Sequence, residues 1–299
     1  MAKRKSKKGS RYDQWIAAGI VITLAAIVLY LWGPLHTFKG AREEKRQPEI
    51  KKLVPPPKRR LAQERKEAEK HKPAGAEKAA VIAVVIDDLG QDLMPARELL
   101  ALPYKITLAV MPGLPQSKKI AELAKQSDRE VLLHLPMEPK NRNGKREAFG
   151  TLRSDMTPME FMAAISADID AVPGAAGVNN HEGSALTENS EAMKFLMAEL
   201  KARGLFFLDS LTNPRSIAYS TAKDFGLKAA KRDVFIDNES NSPAAIGAQL
   251  DELARIARKR GSAIGIGHPH PATMSELKKW LATLDEQGIE IVPVSRLVK

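Results

Sequence analysis

The chain has 299 residues, enough for one large domain or two, and carries no cysteine. Disulfides, thiol catalysis and thiolate zinc sites are thereby excluded, so any metal must be held by His, Asp or Glu. The net charge of +11 is unevenly placed: residues 1–78 hold 20 Lys+Arg against 8 Asp+Glu, and the remainder is close to neutral. A nucleic-acid-binding enzyme carries its basic surface on the folded part, so nucleic acid is not an expected partner.

The first element is Trp15 to Trp32, eighteen residues without a charge, WIAAGIVITLAAIVLYLW. As a helix it would span about 27 Å, close to the hydrocarbon thickness of a bilayer. Trp15, Tyr30 and Trp32 lie at its edges, where interfacial aromatics belong. Six Lys/Arg precede it within residues 1–11 and four follow within 33–47, which favours residues 1–14 inside and the rest outside. A cleaved signal peptide would have a shorter core followed by a small-x-small site, and residues 33–38 offer no good one. The expectation is a single-pass inner-membrane anchor with the domain in the periplasm. Residues 33–78, with Pro55-Pro56-Pro57, many Lys and Glu and no apolar heptad, read as a solvated linker.

From residue 79 onward, apolar strand-like runs alternate with helical patterns. Strands are expected at 81–86, 105–110, 130–134, 175–179, 205–208, 227–231 or 233–236, 262–267 and 289–294. Helices are expected at 92–100, 116–127, 158–171, 189–203, 214–225, 243–260 and 273–287, with Thr187, Ser242 and Thr273 as plausible starts. Gly204, Gly226, Gly261 and Gly288 stand where helix C-caps belong. Seven or eight βα units predict an α/β fold, a (β/α) barrel that need not be complete. An open doubly wound sheet is the alternative, but no Gly-rich phosphate loop follows the first strand.

That first strand runs through Val81-Ile82-Ala83-Val84-Val85-Ile86 directly into Asp87-Asp88-Leu89-Gly90. Two adjacent acids at the carboxyl end of a buried strand repel, and a metal ion is a common compensation. The competing account is helix capping by Asp88. Four of the six histidines, His134, His181, His268 and His270, also fall at expected strand ends, as do Asn179, Asn180 and Asp209. In a parallel barrel those ends form one mouth. Each has a plainer account: a core histidine for His134, a turn for His181, a structural or rim residue for His270 between prolines, and a cap or turn for Asp209 and Asp237. Gly265 and Gly267, just before His268, would permit close approach of a ligand or neighbouring chain. One acid and two imidazoles suit a zinc-type site, and metal ligation brings the pKa of water to about 7. No Gly-x-Ser-x-Gly elbow supports a serine triad, and adjacent acids are badly placed to flank a glycosidic bond.

The segments IDDLG (86–90), LLHLPMEP (132–139), GVNNHEGS (177–184), FFLDS-x-T (206–212), RDVFIDN (232–238) and IGIGHPHP (264–271) together resemble the divergent polysaccharide deacetylases, relatives of the NodB-type carbohydrate esterases. The resemblance covers about residues 80–299. It implies a deformed, incomplete (β/α) barrel and divalent-metal-dependent removal of acetyl groups from a cell-envelope polysaccharide such as peptidoglycan. It places the general base on Asp87 and metal ligation on Asp88. The family's His-x-x-x-His motif begins at His134 but has Glu138 in its second position. His181 is then the expected third ligand, with Glu138 as competitor. His268 matches the late-strand histidine and is the expected general acid, and Asn180, Asp209, Arg232 and Asp233 are the expected supporting residues. The broken motif also leaves a second expectation open, an inactive barrel that binds envelope glycan or a cell-wall enzyme.

Overall fold

The structure is a computed structural model, and it describes residues 80–141, 147–237 and 242–299. The expected anchor at 15–32 and linker at 33–78 lie outside the described residues. Among the described residues no helix is long and apolar enough to cross a membrane.

Nine strands, β1 (Ala80–Leu89), β2 (Thr107–Val110), β3 (Val131–Met137), β4 (Gly177–Glu182), β5 (Phe206–Asp209), β6 (Ala229–Lys231), β7 (Val234–Phe235), β8 (Ser262–Gly267) and β9 (Ile289–Ile291), form one parallel sheet. Its order is β6-β5-β4-β3-β2-β1-β8-β7, with β9 pairing the start of β1. β6 and β7 do not pair, so the curled sheet stays an open half-barrel, as the incomplete-barrel expectation required. Both alternatives for the sixth strand are used, as two short strands flanking Arg232-Asp233. The outer edge of β6 is covered by reciprocal backbone hydrogen bonds between Ala229 and Lys299.

Among the described residues, seven helices alternate with the strands: α1 (Leu93–Ala101), α2 (Ser117–Gln126), α3 (Pro158–Ala171), α4 (Ser190–Ala202), α5 (Ala218–Asp224), α6 (Pro243–Arg260) and α7 (Pro271–Leu281). Local chemistry sets their ends. Thr157 and Glu160 make a reciprocal capping box on α3, with Pro158 in the first turn. Ser242 caps α6, which Gly261 ends at φ 84°. Two expected starts are corrected. Thr187 lies in a short 3-10 turn, and Asn189 caps α4 by accepting from Glu191 and Ala192. Thr273 lies inside α7, where Pro271, with φ preset for the first turn, starts the helix earlier. Asp92, not Asp88, caps α1, which frees the acid pair from that duty.

Strand periodicity sorts side chains into two apolar layers. Ile82, Val84 and Ile86 of β1 face the helices with Val178 and Phe207. Ala83 and Val85 face the barrel interior with Leu132, Leu208, Ile264 and Ile266. The inward parity continues at each carboxyl end into polar residues: Asp87, His134, Asn179, Ser210 and His268. Gly265 serves helix packing rather than a ligand: a Cβ there would come within 2.6 Å of Leu253 on α6.

One acid is buried without compensation. Asp168 on α3 is 2% exposed, its Oδ2 has no hydrogen-bond partner, and it packs beneath Gly150. Burial pushes its pKa up to about 7 from 3.8. The folded chain therefore holds a proton that the unfolded chain has released, and stability falls as pH rises from about 4 to 7. Asp168→Asn removes this dependence. It should raise the melting temperature at pH 8, by at most about 4 kcal/mol of stability, and leave it unchanged near pH 4. Thermal unfolding of both proteins across that pH range checks the sign.

Candidate metal centre

β1 brings both acids to the mouth by different routes. Asp87 continues the inward parity of Ala83 and Val85 and is 2% exposed. Asp88 follows it and by alternation would face the helices. Instead its backbone turns left-handed, at φ 57°, where the β1–β2 register also shifts. A non-glycine residue there costs on the order of 1 kcal/mol. The turn brings both carboxylates toward one imidazole: His134 Nε2 lies 3.6 Å from Asp87 Oδ2 and 3.1 Å from Asp88 Oδ1.

β3 and β4 supply the imidazoles. His181 Nδ1 lies 2.9 Å from Asp88 Oδ1 and 3.2 Å from His134 Nε2. Asp88 Oδ1, His134 Nε2 and His181 Nδ1 thus form a triangle with sides of 2.9, 3.1 and 3.2 Å. Zinc bonds of 2.0–2.1 Å in a tetrahedron separate ligand atoms by about 3.3 Å, so the spacing fits a small divalent ion. Asp88 Oδ1 is buried yet makes no aligned hydrogen bond, despite two nitrogens within reach. A cation between the three atoms would satisfy a lone pair so placed. Glu138, the competing ligand, is held elsewhere: its Oε2 accepts from Ser154 N at 2.8 Å and Ser154 Oγ at 2.6 Å.

His268, at the end of β8, closes the other side of the mouth, with Nε2 3.9 Å from Asp88 Oδ2. Its Nδ1 is 2.9 Å from Asp237 Oδ1, while Asp237 Oδ2 accepts from His268 N and Thr273 Oγ1, each at 2.8 Å. His270 stands nearby but is exposed. Asp237, His268 and His270 make a second group with metal-ligand spacing, but the Asp237 carboxylate is already engaged by three donors. That group orients His268.

The supporting residues sort differently from expectation. Asp209 faces outward and accepts from Leu211 N, Ser216 Oγ and Tyr219 N. Arg232 donates to the carbonyls of Ser210 and Leu211 and lies over the Phe235 ring. Asp233 pairs with Arg260 and accepts from Ile264 N. Asn180 accepts from Ser210 N and donates to the Glu182 carbonyl, shaping the mouth loops. None of these four hydrogen-bonds to Asp87 or to the His268 ring. The residues that do are Asn179, which donates from Nδ2 to Asp87 Oδ1 at 2.9 Å, and Asp237. Inward parity singles out Asn179, whereas Asp237 follows a strand only two residues long, too short for a period to be read.

The electrostatics divide the acids. Burial raises the pKa of Asp87, opposed by His134 and the Asn179 hydrogen bond. Burial also opposes ionisation of Asp88, but contacts with His134 and His181 outweigh it and hold this carboxyl well below the usual range. For His134, burial favours the neutral ring, but Asp87 and Asp88 prevail and push it up to about 9. Burial likewise lowers His268, and Asp237 and Asp88 outweigh it, so the ring is held protonated above its ordinary pKa.

A curled parallel half-barrel with acids and imidazoles at the carboxyl ends of its strands defines an α/β protein with a metal-ready mouth. The chain belongs to the divergent polysaccharide deacetylase family, whose model matches residues 84–298. It is 38% identical over 220 residues to the uncharacterized protein YibQ of Escherichia coli K12, covering 74% of this chain and 68% of that one. It is 36% identical over 216 residues to an uncharacterized Haemophilus influenzae protein, covering 72% and 76%. Among solved structures, the uncharacterized ATU2773 of Agrobacterium tumefaciens is similar with a TM-score of 0.70 and 28% identity, covering 76% and 92%.

A metal ion must displace the proton that His134 holds at neutral pH. Zinc binding at pH 7 should therefore release about one proton, and affinity should rise with pH until His134 is neutral near 9. Calorimetry in buffers of different ionisation enthalpy reads the proton count.

Proposed function

We propose that the protein is a metal-dependent deacetylase that removes acetyl groups from a cell-envelope polysaccharide, with zinc as the preferred ion. The observation that carries this reading is the triangle of Asp88 Oδ1, His134 Nε2 and His181 Nδ1, with Asp87 and His268 facing it from two sides. We read His181, from β4, as supplying the second imidazole that the motif lacks at Glu138, a reading supported by its spacing to Asp88 and His134. A divalent ion held there would supply Lewis acidity, which lowers the pKa of water to about 7 and polarises an acetyl carbonyl.

The chain's own residues do the rest. Asp87, whose pKa is raised by burial, takes the proton of the attacking water. The water oxygen adds to the acetyl carbonyl carbon, and the carbonyl electron pair moves onto oxygen. Collapse of that adduct breaks the bond to the sugar nitrogen or oxygen. His268, protonated and oriented by Asp237, delivers the proton that lets the amine or hydroxyl depart, leaving acetate. Two titratable groups of opposite duty on opposite sides of one centre make a base and an acid available at the same pH.

The uncharged stretch at 15–32 and its basic N-terminal flank support a single-pass anchor in the inner membrane, with the domain tethered in the periplasm by residues 33–78. Acetylated peptidoglycan or a related glycan is then the substrate within reach.

In full-length protein, Asp88→Ala and His181→Ala should abolish both bound zinc and acetate release from peptidoglycan. Asp87→Asn should keep zinc and lose turnover by 10²-fold or more, the usual scale for general-base removal. Elemental analysis paired with an acetate assay separates the two outcomes, and full zinc content in Asp88→Ala would refute the ligand assignment.

A further inference from the structure

We propose that Asn179 is the positioning residue that joins the two halves of the site, holding the proton-accepting Asp87 with one end of its amide and fixing the metal-holding form of His134 with the other. The assignment rests on the proposed roles of Asp87 and His134.

Asn179 is fully buried on β4, in register with His134 on β3 and Leu208 on β5. A buried amide must satisfy both ends. Its Nδ2 lies 2.9 Å from Asp87 Oδ1 and 3.2 Å from Ser210 Oγ, and its Oδ1 lies 3.0 Å from His134 Nδ1. Ionised Asp87 can only accept, so the NH₂ end must face it. The carbonyl end is then committed to His134, and His134 Nδ1 must carry the hydrogen. In the neutral ring Nε2 then carries the lone pair, and Nε2 is the atom aimed at Asp88 Oδ1 and His181 Nδ1. A flipped amide would set oxygen against carboxylate oxygen at 2.9 Å and nitrogen against the ring N–H.

The second N–H of the amide is spent on Ser210, whose own backbone is pinned by Asn180 Oδ1 on its N–H and by Arg232 on its carbonyl. The amide therefore has no freedom to rotate without losing bonds at three residues. Aspartate would place two carboxylates against each other, glutamine is one methylene too long for the strand register, and leucine satisfies neither neighbour. Ligand orientation by such a partner is worth about 10–100-fold in metal affinity.

The test uses full-length protein in detergent and two variants. Asn179→Asp keeps an acceptor for His134 Nδ1–H but repels Asp87. It should bind zinc within about threefold of wild type, by chelator competition, while acetate release falls at least 100-fold. Asn179→Leu removes both contacts and should weaken zinc binding by about 10–100-fold. In metal-free wild type labelled with ¹⁵N-histidine, the resonance that disappears in His134→Gln should report the Nδ1–H tautomer under alkaline conditions, and Asn179→Leu should lose that preference. An Nε2–H tautomer in wild type, wild-type zinc affinity in Asn179→Leu, or wild-type turnover in Asn179→Asp would each overturn the assignment. If the tautomer is as expected but wild type releases no acetate from any glycan, the deacetylase reading fails and the positioning role of Asn179 stands.

Discussion

Consecutive residues of a strand point to opposite faces, yet Asp87 and Asp88 both reach His134. That requirement organises the mouth. Asp87 obeys the alternation and enters the interior, where burial works against its charge. Asp88 breaks it through a left-handed turn, which leaves it partly open to solvent. The strand thereby presents two chemically distinct carboxylates from adjacent positions, one dry and poised to accept a proton, one firmly ionised and suited to a cation. A regular strand would have sent one of them into the helix layer.

The incomplete barrel serves the same end. Neighbours across the sheet, β1 to β8 on one side and β3 to β4 on the other, bring acids and imidazoles from strands distant in sequence to within hydrogen-bonding distance. Apolar residues of the same parity fill the barrel beneath them, so the site stands on a dry floor. Two of the histidines are oriented from behind, His134 by an uncharged amide, Asn179, and His268 by an acid, Asp237. In the proposed mechanism the neutral partner would leave His134 a neutral ligand once a metal displaced its proton, whereas the acidic partner would favour keeping the proton on His268.

Much of this was legible before any coordinates. Glycine and proline punctuation located the helices, and the bounds of α3 and α6 match expectation because Thr157-Pro158 and Ser242-Pro243 start them sharply. Placing polar residues at strand ends found the mouth. It could not rank them, because that needs the parity of each strand. Asp209 looked as good as Asp87 by position, but it stands one residue out of phase and faces α5. Asn179 is in phase and Asn180 is not, and two adjacent amides are told apart only once the parity of β4 is known. Asp237 escaped because β7 is only two residues long, too short for a period to be read. Glu138 stands outside the metal-spaced group for a tertiary reason, the hydrogen bonds its carboxylate accepts from Ser154, sixteen residues away.

Asp88 is not alone in its backbone conformation. Glu182 and Leu211, at the ends of β4 and β5, also stand at positive φ, 52° and 50°. Their turned peptides aim carbonyls inward: that of Glu182 receives Asn180 and Thr212, and that of Leu211 receives Arg232. Three such residues hold roughly 3 kcal/mol of strain around one opening, a sizeable share of what keeps a domain folded. Durability and chemistry therefore pull against each other at the same few positions. Glycine or asparagine there would relieve that strain and yield a sturdier barrel with a slacker opening.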